Sequence, residues 1–364
     1  MTGLERLLLD PSPLQGAGRI GLLTHPAGVT RDLIPSAVAL LRAGVRLERL
    51  YGPEHGIDGS GQAGEAPEVT ADRQTGLPTH SLYHKSPSEI AERIAQVDTL
   101  LVDVQDVGVR FYTYVSTLVQ VLEAARQSGT RVVVLDRPNP LGFPVEGPVL
   151  EPRFRSFVGA LELPLRHGLT LGECARLVEP GVEVIPCDPL EPFGYGGLPW
   201  VPPSPNLPDL ETARLYVGTG LVEGSAASEG RGTALPFRLV GAPGIDAVAL
   251  ARRLNGLDLG PVRFRPAYFT PAFSKHAGQP CAGVQIHVLE PLARALPVGM
   301  ALVGALAEQG LELNPDWLQK LLGVPFAPEL FAPEQAQERC HAWELEARRY
   351  AQERLSTAWL YPRG

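Results

Sequence analysis

The sequence predicts an α/β protein with a Rossmann-like, doubly wound and mostly parallel sheet, followed by a smaller C-terminal α+β domain. Three observations carry this prediction. Short runs of Val, Ile and Leu alternate with helical patterns through the first 140 residues, and these runs are almost wholly apolar. Strands of that kind are buried on both faces, as they are in a parallel sheet covered by helices. After about Leu235 the pattern changes to strands with alternating polarity, which predicts a second domain.

The first part of the chain contains four predicted strands and three predicted helices. The strands are the apolar runs Arg19–Thr24, Leu47–Tyr51, Thr99–Val104 and Arg131–Leu135, and the helices between them are Leu33–Ala43, Pro87–Gln96 and Thr117–Ser128. We expect right-handed crossovers between the parallel strands.

The pattern loosens from Gly142 to about Trp200, where one helix is predicted near Thr170–Val178. The short run Arg214–Val217 predicts a return to the sheet. We divide the chain into a first domain of residues 1–235 and a second of residues 236–364. The second domain is predicted from a helix, two strands and two further helices: Asp246–Asn255, Val262–Phe269, Gly283–Val288, Val298–Gln309 and Gln335–Leu355.

Composition and charge exclude several classes of protein. The 364 residues include 32 Lys and Arg against 40 Asp and Glu, a net charge of −8, and no basic run that would bind nucleic acid. No apolar stretch approaches the roughly 18 residues of a membrane helix, so we expect no membrane insertion. Leu7–Leu9 is followed directly by Asp10-Pro11, without the apolar core of a signal peptide. We therefore expect a cytoplasmic protein, or a periplasmic or secreted one if an exported precursor was trimmed.

Polar residues follow each of the four predicted strands. The segments are Thr24–Gly28, Gly52–Gly56, Asp103–Tyr114 and Asp136–Pro140. In a parallel sheet these ends share one edge, where ligands bind. The convergence of carboxylates, His, Arg, Tyr and Asn is what a polar ligand and acid–base chemistry require, although turn chemistry alone also places such residues there.

Glu54 is the first candidate for a catalytic residue. It lies on a tight turn directly after an apolar strand. Desolvation favours the protonated form of a carboxyl group, which suits a general acid. The alternative is a carboxylate that only stabilises the turn. His55 would orient Glu54, bind substrate, or be purely structural.

A second group of candidates follows the third predicted strand. Asp103 and Gln105 share a face of an extended segment, whereas Asp106 points away. One carboxylate would bind a substrate hydroxyl and another would hold Arg110, unless the charges form a plain ion pair. Tyr112 would stack on a sugar ring or belong to the core.

Two asparagines, Asn139 and Asn206, stand in proline-bracketed turns. Each amide is either aimed at a ligand or used in an Asx turn. Arg231 lies between two glycines, an arrangement suited to binding an anionic group and also typical of an interdomain turn.

The loop from His167 to Glu173 offers a binding histidine and a further carboxylate. Glu173 stands three residues after Thr170, which is the pattern of a helix capping box and the structural alternative for this glutamate.

Gly59–Gly64 satisfies the pattern G-x-G-x-x-G, but it lies well past the second strand and no helical run follows it. Dinucleotide binding needs that pattern directly between a strand and a helix. Motifs of P-loop kinases, zinc proteases and serine hydrolases are missing, and the four cysteines form no C-x-x-C pair.

Five motifs together resemble the exo-β-N-acetylmuramidases, a glycoside hydrolase family of peptidoglycan turnover. They are Gly52–Gly56, Asp103–Gly108 with Arg110–Tyr114, Leu135–Pro140, Pro203–Asn206 and Glu229–Thr233. The resemblance extends from about Arg19 to the C-terminus. It implies a Rossmann-like domain and an auxiliary domain with a cleft between them. It also implies removal of N-acetylmuramic acid from the non-reducing ends of cell-wall saccharides or muropeptides, with no nucleotide or metal cofactor.

On this resemblance Glu54 is the expected acid, and Asp103 or Glu173 the expected second carboxylate. A substrate-assisted route through the 2-acetamido group also stays open. The chain departs from the family pattern at Ile57-Asp58-Gly59, where members carry an aromatic residue, Arg and Gly. An arginine there would contact the carboxylate of muramic acid, so its absence leaves the sugar preference open. The alternatives are a β-N-acetylhexosaminidase of different preference and a non-catalytic protein that binds cell-wall sugars.

Overall fold

A computed structural model of the chain describes residues 1–67, 69–188, 195, 197–290 and 294–363. Its strands, in chain order, are β1 (Ile20–Thr24), β2 (Leu47–Gly52), β3 (Thr79–Ser81), β4 (Thr99–Asp103), β5 (Arg131–Leu135), β6 (Glu146–Val149), β7 (Pro164–Arg166), β8 (Glu183–Ile185), β9 (Leu239–Ala242), β10 (Val262–Phe269) and β11 (Cys281–Val288). Six of them form a parallel sheet in the order β3-β2-β1-β4-β5-β8. The four strands predicted in the first 140 residues are confirmed.

The direction of the strand order reverses at β1, which lies between β2 and β4. Leu23 pairs with Tyr51 of β2 and with Val102 of β4, and every residue of β1 is buried. Since β2 and β4 are not neighbours, side chains that follow them are separated by about two strand spacings of roughly 4.8 Å. The carboxyl ends of β1 and β4 form the switch point, where a doubly wound sheet binds its ligands.

The helices, in chain order, are α1 (Gly3–Leu9), α2 (Ser36–Arg42), α3 (Pro87–Ile94), α4 (Tyr114–Ser128), α5 (Leu171–Val178), α6 (Leu210–Thr219), α7 (Ala247–Asn255), α8 (Leu296–Glu308), α9 (Pro315–Leu322) and α10 (Ala336–Tyr350). Leu33 has a left-handed backbone with φ of 62°, so α2 begins only after Pro35. In contrast, α4 begins three residues earlier than predicted, which makes Thr113 its N-cap residue. In the described part of the chain no helix combines the length and the apolar character needed to cross a bilayer.

The predicted return to the sheet at Arg214–Val217 is wrong, because these residues belong to α6. Asp209 caps this helix by accepting a hydrogen bond from the Thr212 N–H at 2.7 Å. A four-residue apolar run is compatible with a strand or a buried helix, and the cap decides between them. Residues 189–194 and 196, within the segment predicted as loop, lie outside the described residues.

The C-terminal part is the predicted α+β unit. Strands β10, β11 and β9 form an antiparallel sheet in that order, and α7 packs against β10 and β11. Helix α8 crosses α6 so closely that a Cβ at Gly299 would lie 2.0 Å from the carbonyl oxygen of Gly218. One apolar cluster includes residues of both parts, so the two share a continuous core.

The end of the chain returns to the first part and binds beside β5. The Tyr361 hydroxyl donates a hydrogen bond to Asp136 Oδ2 at 2.6 Å, and Arg363 contacts Glu173. Burial raises the pKa of Asp136 to about 6, although Tyr361 and Thr170 donate hydrogen bonds that favour its ionised form. These contacts tie the C-terminal segment to the parallel sheet.

Tyr361→Phe should therefore lower the free energy of unfolding by about 1–3 kcal/mol, because it removes a hydroxyl donor from a buried carboxyl group. Urea unfolding followed by circular dichroism measures the change. Tyr268→Phe is the matched control, since that side chain is 73% exposed. Equal stability of the two variants would contradict this role for the tail.

Candidate active site

A cleft of about 540 Å³ opens at the carboxyl edge of the parallel sheet, between the two parts of the chain. The loops after β2 and β3 and the start of α4 form one wall. The rest of the lining comes from α6, the segment that follows it, and α9. The lining side chains that precede α6 include Glu54, His55, Tyr83, His84, Phe111, Tyr112, Thr113 and Asn206, and those from α6 onward include Tyr216, Glu223, Arg231, Phe237, Trp317 and Lys320.

The carboxyl group of Glu54 is held at this cleft by neutral donors. Its Oε1 accepts a hydrogen bond from the Gly64 N–H at 2.8 Å, and its Oε2 accepts one from Thr113 Oγ1 at 2.5 Å. Burial, together with the charge of Glu54 and a hydrogen bond to it, raises the pKa of Tyr83, so this phenol stays protonated. Glu54 is 7% exposed, and no cation contacts it within the described residues.

The glycine-rich segment Gly59–Gly64 folds as a loop over Glu54 and links no strand to a helix. Gly64 has φ of 83°, a conformation that glycine adopts without strain, and its N–H reaches the carboxyl group. His55 Nδ1 donates a hydrogen bond to the Gly61 carbonyl oxygen at 3.0 Å, which fixes both the ring and the loop. The segment therefore positions Glu54, and His55 lines the cleft beside it.

Aromatic rings line the cleft between its two walls. Tyr216 makes edge-to-face contacts with Phe111 at 5.0 Å, with Phe237 at 4.6 Å and with Tyr112 at 6.4 Å between ring centroids. Burial raises the pKa of Tyr112 and of Tyr216, so both phenols remain neutral. Such a surface suits the apolar face of a sugar ring.

A second carboxyl group, that of Glu223, also lines the cleft. Arg231 Nη2 donates to Glu223 Oε1 at 2.6 Å, and Arg231 Nη1 donates to Glu229. Lys275 lies 3.6 Å from Glu229 and donates to the carbonyl oxygens of three residues, including that of Glu223 at 3.0 Å. Burial opposes the charge of Arg231, but the two glutamates outweigh it and raise the pKa of the guanidinium. Arg231 thus reaches the cleft with its charge already balanced.

Asn206 also lines the cleft, and its role as a ligand-binding amide stays a prediction. Its Nδ2 is 3.5 Å from Gln62 Oε1 on the glycine-rich loop, a long contact that leaves the amide available. Asn139 forms an Asx turn, which was the structural alternative for this residue. Its Oδ1 accepts a hydrogen bond from the Leu141 N–H at 2.9 Å, and its Nδ2 donates one to the Leu169 carbonyl oxygen at 2.9 Å.

Asp103 and Glu173, the two expected partners of Glu54, lie outside the cleft. Arg137 donates to both carboxylate oxygens of Asp103, at 2.6 and 2.9 Å, and Asp103 is fully buried. Glu173 completes the capping box of α5 and also binds Arg363. All four oxygens therefore serve the fold, and neither residue is retained as a catalytic carboxylate.

Gln105 and Arg110 are likewise structural. The side chain of Gln105 donates to two carbonyl oxygens and accepts from the Tyr195 hydroxyl. Arg110 binds no carboxylate in the described chain, contrary to the expected pairing. It donates instead to the carbonyl oxygens of Pro148, Leu163 and Leu321, and burial lowers its pKa to about 9.

Asp106 and His167 face each other away from the cleft, where Asp106 Oδ2 lies 3.4 Å from His167 Nε2. Asp106 also accepts from the Gly108 N–H at 2.6 Å, and His167 Nδ1 accepts from the Leu169 N–H at 3.1 Å. Across the described residues, no group of three or more histidine, cysteine or acidic side chains is arranged to hold a metal ion.

Cleft residues that the sequence analysis did not single out include Tyr83, His84, Tyr216, Phe237, Trp317, Glu223 and Lys320. A signal existed for the last of these, because Trp317 and Lys320 are one turn apart on an amphipathic helix and Lys320 is one of three lysines in the chain. Asp58, at the departure from the family pattern, accepts hydrogen bonds from Ser60 and lies outside the cleft.

Comparison with known proteins matches this architecture over most of the chain. Residues 20–211 match the family model described as exo-beta-N-acetylmuramidase NamZ, N-terminal, and residues 214–361 match the corresponding C-terminal model. The cleft takes side chains from both matched regions. The predicted division after residue 235 stays a prediction.

Peptidoglycan beta-N-acetylmuramidase NamZ of Bacillus subtilis (strain 168) is 45% identical over 300 residues, which are 79% of this chain and 72% of that protein. Two crystal structures of DUF1343 family proteins from Bacteroides fragilis NCTC 9343 share the fold. The first has a TM-score of 0.84 at 30% identity and covers 99% of this chain and 98% of its own. The second has a TM-score of 0.77 at 27% identity and covers 100% and 99%.

Proposed function

This chain belongs to the exo-β-N-acetylmuramidase family, and on that premise we propose that it is a glycosidase that releases N-acetylmuramic acid from the non-reducing ends of peptidoglycan fragments. One observation carries the proposal beyond family membership. Two carboxyl groups, Glu54 and Glu223, line one cleft, and the aromatic rings of Phe111, Tyr216 and Phe237 line it with them. Glycosidases cleave with a pair of carboxyl groups that flank the scissile bond.

The two carboxyl groups have different surroundings, and we assign their roles in catalysis from this difference. Glu54 is held by a backbone N–H and a hydroxyl, which orient it without imposing a charge. Glu223 contacts the guanidinium of Arg231, with 2.6 Å between Arg231 Nη2 and Glu223 Oε1. On this contrast we assign Glu54 as the general acid that protonates the leaving oxygen. We assign Glu223 as the second carboxylate, which acts at the anomeric carbon as base or nucleophile.

The remaining cleft residues bind the sugar. The rings of Phe111, Tyr112 and Tyr216 offer a surface for the apolar face of a pyranose. Asn206 and His55, which flank Glu54 on the glycine-rich loop side, are placed to hydrogen-bond its hydroxyl and acetamido groups. Each of these groups is neutral or polar, as recognition of a sugar requires.

Hydrolysis of para-nitrophenyl β-N-acetylmuramide, followed by release of nitrophenol, tests the function. We expect turnover of this substrate and little turnover of the β-N-acetylglucosaminide. Preference for the glucosaminide would make the protein a hexosaminidase. Binding of both sugars by calorimetry without release of nitrophenol would make it a binding protein and overturn the proposal.

A further inference from the structure

The cleft contains two cationic side chains besides its histidines, Arg231 and Lys320, and they differ in what surrounds their charge. Arg231 contacts two glutamates, so its charge is balanced within the protein. Lys320 contacts no carboxylate among the residues that the structure describes. The cleft therefore holds one cation whose charge is uncompensated.

Neighbouring residues on α9 leave Lys320 without a carboxylate partner in the described part of the chain. Asp316 stands one turn earlier on α9, at the spacing where an ion pair with Lys320 would form. The carboxylate of Asp316 instead accepts a hydrogen bond from Gln319 Nε2 at 3.2 Å. The Lys320 ammonium lies 5.9 Å from the centre of the Trp317 ring, whose face attracts a cation. The lysine is thus directed along the cleft wall without being neutralised.

N-acetylmuramic acid differs from N-acetylglucosamine by a lactyl ether on O3, which carries a carboxylate at neutral pH. That anion would enter a cleft in which the charge of Arg231 is already balanced by Glu223 and Glu229. An unpaired cation at the wall supplies the opposite charge and a charge-assisted hydrogen bond. The acetamido group is common to both sugars and needs no cation.

We infer that Lys320 binds the lactyl carboxylate of N-acetylmuramic acid and sets the preference of the enzyme for this sugar. The inference rests on the proposed function, whose site it specifies. Arg231, which the sequence analysis put forward for an anionic group, has the different task of holding Glu223. Trp317 contributes a positioning surface for the ammonium.

The test compares three para-nitrophenyl β-glycosides: the muramide with a free lactyl carboxylate, the same muramide with that carboxylate converted to an amide, and the glucosaminide. Lys320→Met should lower kcat/KM for the free acid by about 10- to 100-fold, the factor expected for one charge-assisted hydrogen bond. The values for the neutral amide and the glucosaminide should change less than threefold. Lys320→Arg should restore most of the preference for the acid.

Arg42→Met is the matched control, because it also removes one exposed positive charge but lies on α2, outside the cleft. It should leave all three values unchanged. A Lys320→Met enzyme that still prefers the free acid over its amide by the original factor would overturn the inference and leave the proposed function intact. Failure of the unaltered enzyme on all three glycosides would overturn the proposed function itself.

Discussion

Glu54→Gln is expected to lower kcat for the β-muramide by at least about 100-fold, because general acid catalysis contributes roughly 10²–10⁴ and an amide donates no comparable proton. The fold should persist. Glutamine keeps the size of the side chain, its oxygen can accept from the Gly64 N–H, and the Thr113 hydroxyl can turn to accept from its amide. Steady-state release of nitrophenol measures the loss, and the thermal midpoint verifies folding.

Leaving-group dependence makes this test specific for an acid. Dinitrophenolate departs with little protonation, so Glu54→Gln should lose much less activity on the dinitrophenyl muramide than on the nitrophenyl one. Glu65→Gln is the control, since this glutamate is exposed on the same loop and accepts a hydrogen bond from the Gln62 N–H rather than from a group of the cleft. Unchanged turnover by Glu54→Gln would reduce Glu54 to a residue that stabilises its turn.

Glu223→Gln is expected to reduce kcat by a comparable factor, about 100-fold or more, because it removes the anion that acts at the anomeric carbon. The loss could also come from disturbing Arg231, and Glu229→Gln separates the two causes. Glu229 contacts the same guanidinium but does not line the cleft. Glu229→Gln should keep at least tenfold more activity than Glu223→Gln. Equal losses of kcat in the two variants would mean that activity depends on the cluster of charges around Arg231 and not on Glu223 in particular.

The product of chemical rescue shows on which face Glu223 acts. In Glu223→Ala, added azide should enter the vacated space and form an α-configured glycosyl azide, opposite to the β substrate. A β-azide would put Glu223 on the side of the leaving group and exchange the roles of the two glutamates. Proton NMR of the first-formed sugar then distinguishes retention from inversion in the unaltered enzyme.

Local sequence was sufficient to predict the structure wherever the residues that decide it lie within one short segment. The strands β1 and β4 are buried at every position, and their nearly apolar composition was enough to predict that burial and the parallel pairing. The capping box at Thr170 and Glu173 was readable for the same reason, because both partners lie within one turn. Arg214–Val217 was misread because the signal that decides it, the cap at Asp209, lies outside the run.

The pairing of charges was decided by the tertiary structure. The sequence analysis expected either Asp103 or Asp106 to hold Arg110, because all three are close in the chain. Burial of an unpaired charge is unfavourable, and Asp103 finds Arg137 directly after the neighbouring strand β5, about one strand spacing away. Arg110 extends instead to Leu321 of α9, 211 residues away. Distance along the chain carries no information about such partners.

The candidate site also contains one residue that the sequence could predict and others that only the tertiary structure brings together. Glu54 could be predicted because a parallel sheet brings its carboxyl ends to one edge and the residue follows β2 directly. By itself, then, the sequence determined the parallel sheet and put Glu54 at the edge where the cleft opens, while the catalytic role of Glu54 stays a prediction. Glu223 follows α6 and Lys320 lies on α9, and only the tertiary structure brings them to the same cleft as Glu54. Their place depends on contacts between segments far apart in the chain, and no local pattern of polarity encodes those contacts.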